Sequence, residues 1–171
     1  MRPSPMTHRT TRNVGFSDSV EKSTREEILN LLNDPRGWSG VVGHRFSEHE
    51  PCEVLWIMES DRDLRRRFRA HPELHGLSVT DRRHRPCRIY LNKDNWTSPP
   101  RAFRGSRSQY RAYLVQHEAG HAFFGLDHLS SSCPTTRCCC VMSQQTRSTD
   151  GCSPNPWVTI CDRRLLQELN P

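Results

Sequence analysis

The sequence contains few hydrophobic residues and no long run of them. Hydrophobic residues make up 33% of the 171 residues, and charged residues make up 26%. A chain of this length is expected to form one domain around a single core. The composition predicts a thin core that needs support from disulfides or a metal ion. No stretch is long enough to span a bilayer, and no internal repeat is present, which argues against membrane-spanning helices and repeat architectures.

The first residues lack the apolar segment of a secretory signal peptide. We expect residues 1–20 to be a disordered basic N-terminus that precedes one domain over residues 21–171. The chain nevertheless has eight cysteines, a number typical of proteins in oxidising compartments. Processing, a nonclassical export route or truncation would reconcile the two signals, so the sequence leaves the cellular location open.

Basic residues outnumber acidic residues. The sequence has 25 lysines and arginines and 19 aspartates and glutamates, which gives a net charge of +6. Arginines cluster in two runs, at residues 62–69 and 82–88. Aromatic residues do not alternate with these arginines, which argues against a stacking platform for single-stranded nucleic acid. A solvated basic surface or an acidic substrate explains the charge equally well. Nucleic-acid binding is therefore the least favoured function.

Residues 117–121, which we call the motif, carry the clearest chemical signal. His117 and His121 are four positions apart, and Glu118 follows the first histidine. In an α-helix such histidines lie one turn apart on one face, so both imidazoles can bind one tetrahedral zinc ion. Glu118 would then lie beside the metal, where it can take a proton from a zinc-activated water and pass it to a leaving amine.

The residues around the motif predict that it lies in a helix. Ser106 and Gln109 have the spacing of a capping box at the start of that helix. Gly125 is a natural end, because glycine readily takes the left-handed conformation found at helix C-termini. The motif should therefore occupy the last two turns of a helix of roughly 18 residues. The small residues Ala119 and Gly120 would let this helix lie close to a sheet.

A catalytic zinc ion needs a third protein ligand and an open fourth position. Asp127 and His128 follow Gly125 directly and are the two candidates for the third ligand. Further along the chain, residues 140–143 include Met142, which would form a hydrophobic base beneath the metal. Its thioether is too soft and too neutral a donor to be a zinc ligand.

Together these features resemble the metzincin type of zinc peptidase, in which the motif HExxHxxGxxH is followed by a methionine-containing turn. The chain is more closely similar to a family of uncharacterised bacterial proteins classed as zinc metallopeptidases. The similar stretches occur in the same order over most of the chain, at residues 34–38, 110–128, 141–146 and 151–157.

The resemblance implies an α+β fold, in which a small twisted mixed β-sheet has a backing helix and an active-site helix across it, with disulfides in support. It also implies a zinc-dependent endopeptidase that acts on a peptide or protein substrate paired at the sheet edge. In this interpretation Glu118 is the general base and acid, Met142 lies in the methionine turn, and one zinc ion is held by His117, His121 and His128.

The chain departs from the family pattern after the motif. Residues 122–124 precede the glycine where the family has two residues, and one added helical residue turns the exit by about 100°. If the glycine turn is fixed, His128 is the third ligand. If the count from the motif is fixed, Asp127 is the ligand, but Phe124 would then need a strained positive φ. The added residue also favours an alternative function, a catalytically inactive binding protein stabilised by zinc and disulfides.

The cysteines predict a set of disulfides. The resemblance implies a bond between Cys133 and Cys152 that brackets the methionine turn. Cys52 and Cys87 each precede a predicted strand and form the second candidate pair. Cys161 would then bond with one of three adjacent residues, Cys138, Cys139 and Cys140. A zinc knuckle over residues 133–152 is the alternative, although its spacing fits no common zinc finger.

Local patterns predict the remaining elements. A capping box at Thr24 opens a helix over residues 24–32, and a second helix is expected at 61–70. Strands are predicted near 41–46, 53–58 and 88–92, and a last short helix at 162–169.

Overall fold

The computed structural model of the protein describes residues 9–130 and 133–171. Within these residues the β-strands are β1 (Thr10–Phe16), β2 (His44–Glu48), β3 (Val54–Glu59), β4 (Val79–Asp81) and β5 (Cys87–Asn92). The α-helices are α1 (Lys22–Leu32), α2 (Trp38–Val42), α3 (Asp61–Arg67), α4 (Lys93–Thr97), α5 (Arg107–Phe124) and α6 (Ile160–Leu169). A 3-10 turn at Pro72–Leu74 precedes β4. No helix in the described part of the chain is long and apolar enough to cross a membrane.

The strands form one mixed sheet in the order β2-β1-β3-β5-β4. β1 pairs in parallel with β2 and β3, and β3 pairs in parallel with β5. β4 pairs with β5 in the antiparallel direction. The predicted α+β class with a mixed sheet is therefore confirmed. Among the described residues the outer side of β4 pairs with no other strand, so this edge of the sheet is open.

The two faces of the sheet pack against different helices. Alternate strand residues such as Trp56 and Ile89 are fully buried in the main core, together with Ile28 of α1 and Val115 of α5. On the opposite face α3 contributes to a smaller apolar cluster of Leu64, Phe68, Val79 and Tyr90. Because α5 contacts α1, β4 and β5, the motif helix lies over the β4 side of the sheet.

The predicted disorder of residues 1–20 is wrong from residue 10 onward, because residues 10–16 form β1 between β2 and β3. This strand is polar, but Val14 is fully buried and parallel pairing on both sides satisfies its backbone groups. Arg12 donates to Glu53 across the sheet at 2.9 Å. Residues 1–8 of that prediction lie outside the described residues.

Several element boundaries differ from the predictions. The first two residues of the predicted strand at 41–46 belong to α2, and β2 starts only at His44. Gly43, with a φ of 69°, separates the helix from the strand. The predicted helix at 61–70 ends at Arg67. α1 begins at Lys22, before the predicted cap Thr24. β4 was not predicted, because a strand of three residues is too short for an alternating pattern to be recognised.

Disulfides support the fold, but their pairing differs from the predictions. Cys133 bonds with Cys161, with Cα atoms 5.9 Å apart, so the predicted bond between Cys133 and Cys152 is wrong. The reason is that the start of α6 lies against the segment around residue 133. The predicted bond from Cys161 to one of residues 138–140 is wrong for the same reason. The sulfur of Cys140 nevertheless lies within 4.8 Å of both sulfurs of this disulfide.

The second disulfide joins Cys139 and Cys152, whose Cα atoms are 5.2 Å apart. A backbone bridge between Cys138 and Ser153 holds these two segments side by side. The pairing therefore follows from backbone contacts within the segment. Because Cys133, Cys139 and Cys152 are all in disulfides, they have no thiolates to bind the zinc ion of a knuckle over residues 133–152.

The predicted pair of Cys52 and Cys87 is also wrong, since both cysteines are free. The sulfur of Cys52 lies near Gly15 of β1, where it would overlap with a Cβ atom. The sulfur of Cys87 is 3.6 Å from the carbonyl oxygen of Asp81, at the end of β4. The Cys52 sulfur thus lies near β1 and the Cys87 sulfur near β4, so the two side chains do not meet.

Candidate metal centre

Local sequence signals define both ends of α5, the helix that carries the motif. At its start, the Ser106 hydroxyl accepts from the Gln109 amide at 3.1 Å, and the Gln109 side chain accepts from the Ser106 amide at 2.8 Å. At its end, Gly125 has a φ of 65° in the left-handed region. The helix has 18 residues, so the predicted helix and both of its predicted ends are confirmed.

Three imidazoles converge beside the last turns of α5. The Nε2 atom of His121 lies 3.2 Å from Nε2 of His117 and 3.1 Å from Nε2 of His128. In a tetrahedral zinc site with Zn–N bonds of about 2.05 Å, ligand nitrogens are about 3.4 Å apart. The spacing of the three nitrogens therefore fits a single zinc ion.

The backbone after α5 brings His128, and not Asp127, to the motif. Gly125 turns the chain, and the Leu126 amide then donates to the Gly120 carbonyl at 3.1 Å. The Asp127 side chain is 87% exposed and lies 3.7 Å from Arg82. Phe124 stays within the helix, so the added residue lengthens α5 and requires no strained conformation.

Backbone carbonyls fix the orientation of two of the rings. Nδ1 of His117 lies 2.7 Å from the Val141 carbonyl oxygen, and Nδ1 of His121 lies 2.5 Å from that of Leu126. A carbonyl oxygen only accepts hydrogen bonds, so Nδ1 carries the proton in each ring. The two Nε2 lone pairs then face each other across 3.2 Å. Such an arrangement is repulsive unless a cation lies between them, which supports the fit to a metal ion.

Burial keeps these imidazoles in their neutral form. It lowers the pKa of His121 to about 4 and the pKa of His117 well below its ordinary value. The same cause lowers the pKa of His128, which lines the cleft and is more exposed than the other two histidines. Neutral imidazole is the form that binds metal ions, so the site is prepared for a cation at neutral pH.

Glu118 is almost fully buried beside the imidazoles, with 4% of its surface exposed. Burial raises the pKa of Glu118 to about 7. Its Oε2 atom accepts a hydrogen bond of 2.5 Å from the Thr80 hydroxyl on β4. A carboxyl group with this pKa can both accept and return a proton near neutral pH. Sequence reasoning missed Thr80, because nothing in the sequence marks the short strand that carries it.

Met142 lies beneath the motif helix and is fully buried. Its sulfur occupies the space that a Cβ atom at Gly120 would fill, and Trp38 approaches the same point. We predicted that Gly120 would allow close packing on the sheet; the structure shows instead that its missing side chain makes room for Met142 and Trp38. The carbonyl oxygen of the preceding residue, Val141, is the one that orients His117.

A buried carboxylate on α6 holds this methionine turn. Asp162 is fully buried and accepts from the amides of Val141 and Met142, each at 3.0 Å. It also accepts from the amide and hydroxyl of Thr159, at 2.8 and 2.7 Å. Sequence reasoning assigned Asp162 only to a helix. The spacing of Thr159 and Asp162 was the available signal, since it is that of a capping box.

The three imidazoles line a cleft of about 270 Å³ between α5 and β4. Apolar side chains line part of it, namely Leu74, Leu77, Val79 and Leu114. Thr80, Arg82, Gln144 and Thr146 add polar groups. The cleft is therefore an accessible site beside the imidazoles, with apolar and polar side chains on its walls.

One protein family matches the chain over residues 20–158, and it is described as "Protein of unknown function (DUF3152)". Because the match covers most of the chain, the protein belongs to this family. No curated protein matches it. The family description states no activity, so a function has to be argued from the site.

Proposed function

We propose that this member of the DUF3152 family is a zinc-dependent endopeptidase of the metzincin type. His117, His121 and His128 would hold one zinc ion, and Glu118 would move the proton. The single observation that carries the proposal is the convergence of three imidazoles next to a buried carboxyl group. Nε2 of His121 lies 3.2 Å and 3.1 Å from Nε2 of His117 and of His128, and burial raises the pKa of the neighbouring carboxyl group to about 7.

When bound, zinc supplies a Lewis acid that polarises a carbonyl group and lowers the pKa of water toward about 7. Glu118 accepts a proton on its carboxylate and later returns it to the departing amine. Thr80 positions this group by donating to Oε2, and no other side chain in the described residues donates to the carboxylate. In the metal-free protein the raised pKa brings the protonated and ionised forms of Glu118 close in free energy, which suits a group that accepts and returns a proton.

A peptide substrate would bind along β4. This strand forms the open edge of the sheet, and its residue Thr80 already contacts Glu118. An extended peptide can add to such an edge through backbone hydrogen bonds. The scissile bond would then lie between the strand and the imidazoles, within the cleft.

The alternative function, an inactive binding protein, was favoured by the added residue after the motif. That residue extends α5 as ordinary helix, and His128 still lies 3.1 Å from His121. The addition therefore gives no reason to prefer the inactive alternative. Nucleic-acid binding stays least favoured, because several clustered arginines are in ion pairs with acidic residues, among them Arg65, Arg66, Arg67 and Arg83.

The proposal is tested by comparing zinc-loaded wild type with Glu118→Ala. Hydrolysis of casein or a peptide library should fall at least about 1000-fold, since the variant loses its general base and acid. Zinc content should stay at one ion per chain, because the carboxylate is not a ligand in the proposal. The measurements are peptide cleavage and elemental analysis of the same preparations.

Glu26→Ala is the matched control, because Glu26 is exposed on α1, away from the cleft. It should keep wild-type activity. The endopeptidase proposal fails if zinc-loaded wild type cleaves no member of a broad library, or if Glu118→Ala remains as active as Glu26→Ala.

A further inference from the structure

Side chains at and next to the edge strand β4 alternate between the cleft and the opposite face. Thr80 and Arg82 line the cleft together with Glu118, whereas Asp81, between them, does not. Val79 contributes to both the cleft and the smaller apolar cluster behind the sheet. This alternation is the two-residue period expected of a strand. A peptide added along this edge would pass Thr80 and Arg82 in turn.

The cleft has an apolar end and a basic end along α5. Tyr113 and Leu114 precede the motif and line the cleft together with leucines from the segment before β4. At the other end, Arg82 lies against the C-terminus of α5, where its Nη1 atom is 3.3 Å from the position of a Cβ at Gly125. The reactive side chains of the motif occupy the turns between these two ends.

The charge of Arg82 is only loosely neutralised. Its Nη2 atom is 3.7 Å from the Asp127 carboxylate, and the two side chains are 49% and 87% exposed. An exposed pair with this geometry contributes little free energy, so a ligand carboxylate can replace Asp127. The neighbouring Arg83, in contrast, makes two hydrogen bonds of 2.9 and 2.8 Å to the buried Asp81. Arg82 is thus far more available to a ligand than Arg83.

Positive charge continues from Arg82 into a second cavity, of about 290 Å³. Three arginines line it, Arg12, Arg82 and Arg85, together with one acidic residue, Glu53. Glu53 accepts hydrogen bonds of 2.9 and 3.1 Å from Arg12, so it does not compensate the other two arginines. The path that leaves the metal centre past Arg82 is therefore complementary to acidic groups.

We propose that the site acts on peptides with an acidic residue on the Arg82 side of the scissile bond and an apolar residue on the other side. This inference rests on the proposed function and adds the substrate class. Arg82 is the specificity-determining residue, because its guanidinium can bind a carboxylate through two parallel hydrogen bonds. Leu74, Leu77 and Leu114 receive the apolar side chain.

The test uses internally quenched peptides that each contain one leucine and one glutamate. In different peptides the glutamate stands at one of three positions on either side of the leucine, and each peptide has a partner with glutamine at the same position. For zinc-loaded wild type, glutamate should raise kcat/KM about tenfold over glutamine on one side only. Arg82→Gln should remove this preference. Arg66→Gln should keep it, because Arg66 is an exposed arginine on α3 with a similarly loose pair, 3.9 Å from Asp63.

Two further measurements separate recognition from turnover and from folding. Arg82→Glu should transfer the preference from glutamate to lysine peptides, a change that a merely structural role of Arg82 would not produce. Fluorescence anisotropy with Glu118→Ala should show about tenfold tighter binding of the best glutamate peptide than of its glutamine partner.

The outcomes distinguish this inference from the proposed function. Equal cleavage of glutamate and glutamine peptides by wild type would overturn the substrate class and leave the endopeptidase standing. Absence of cleavage, with Arg82-dependent binding of glutamate peptides, would overturn the endopeptidase and support Arg82 as the recognition residue. A glutamate preference that survives Arg82→Gln would overturn the assignment to Arg82.

Discussion

At the scale of single residues, the orientation of the two motif histidines depends on backbone carbonyls that lie outside the motif. Val141 orients His117, and Leu126 orients His121. Each carbonyl keeps the proton on Nδ1 and frees Nε2, as hydrogen-bond partners of metal-binding histidines commonly do. The side chain at either carbonyl position contributes nothing to this, so sequence patterns alone do not reveal it.

A prediction at the same scale concerns which residue is the third zinc ligand of the proposed site. His128→Ala should lower zinc affinity more than about 100-fold, because it removes one of three imidazoles. Asp127→Ala should lower it less than about tenfold, because its carboxylate is exposed and faces Arg82. Competition with a chromophoric chelator measures both affinities. A larger loss in Asp127→Ala than in His128→Ala would show that the aspartate is the ligand.

At the scale of elements, α6 supports the candidate metal centre without contributing a side chain to it. Asp162→Ala would leave the amides of Val141, Met142 and Thr159 without their buried acceptor. We expect the free energy of unfolding to fall by about 3 kcal/mol, since buried unpaired donors are costly. Zinc affinity should fall as well, because Val141 also orients His117.

Urea unfolding of the zinc-free protein measures the first effect, and chelator competition measures the second. Glu168→Ala is the matched control, as Glu168 is exposed on the same helix, and its effect should stay below about 0.5 kcal/mol. A loss in Asp162→Ala no larger than in this control would contradict the role given to Asp162.

Some elements could be predicted from the sequence and others could not, for physical reasons. α5 was predicted completely because Ser106, Gln109 and Gly125 are local signals that act within a few residues. β1 was missed because its stability comes from pairing with β2 and β3, which no local pattern records. The disulfides were mispaired because the Cys133–Cys161 bond depends on where α6 packs and the Cys139–Cys152 bond on how its segment folds back on itself, and both are tertiary properties.

Some residues of the candidate site could likewise be predicted from the sequence, and others could not. The spacing of His117 and His121 and the position of Glu118 follow from helix geometry alone. Thr80 and Arg82 enter the site only because the short strand β4 lies against α5. Contacts of this kind join residues far apart in the chain, so they become visible only in the folded structure.

At the scale of the whole molecule, the segment between α5 and α6 depends on cross-links for its order. Among its described residues it contains no helix or strand, and irregular segments of this length are uncommon in compact domains. Two disulfides tie it down, one within the segment and one to α6. A zinc ion bound by His128 and the two histidines of α5 would add a third cross-link, at the end of the segment next to α5.

The most direct test of the central claim is the zinc content of wild type beside His117→Ala/His121→Ala, after equilibration with zinc and removal of excess metal. We predict one zinc ion per wild-type chain, a higher Tm with zinc than with chelator, and neither effect in the double variant, because one remaining imidazole cannot hold zinc tightly. Stoichiometric zinc in the double variant, or none in wild type, would contradict the account.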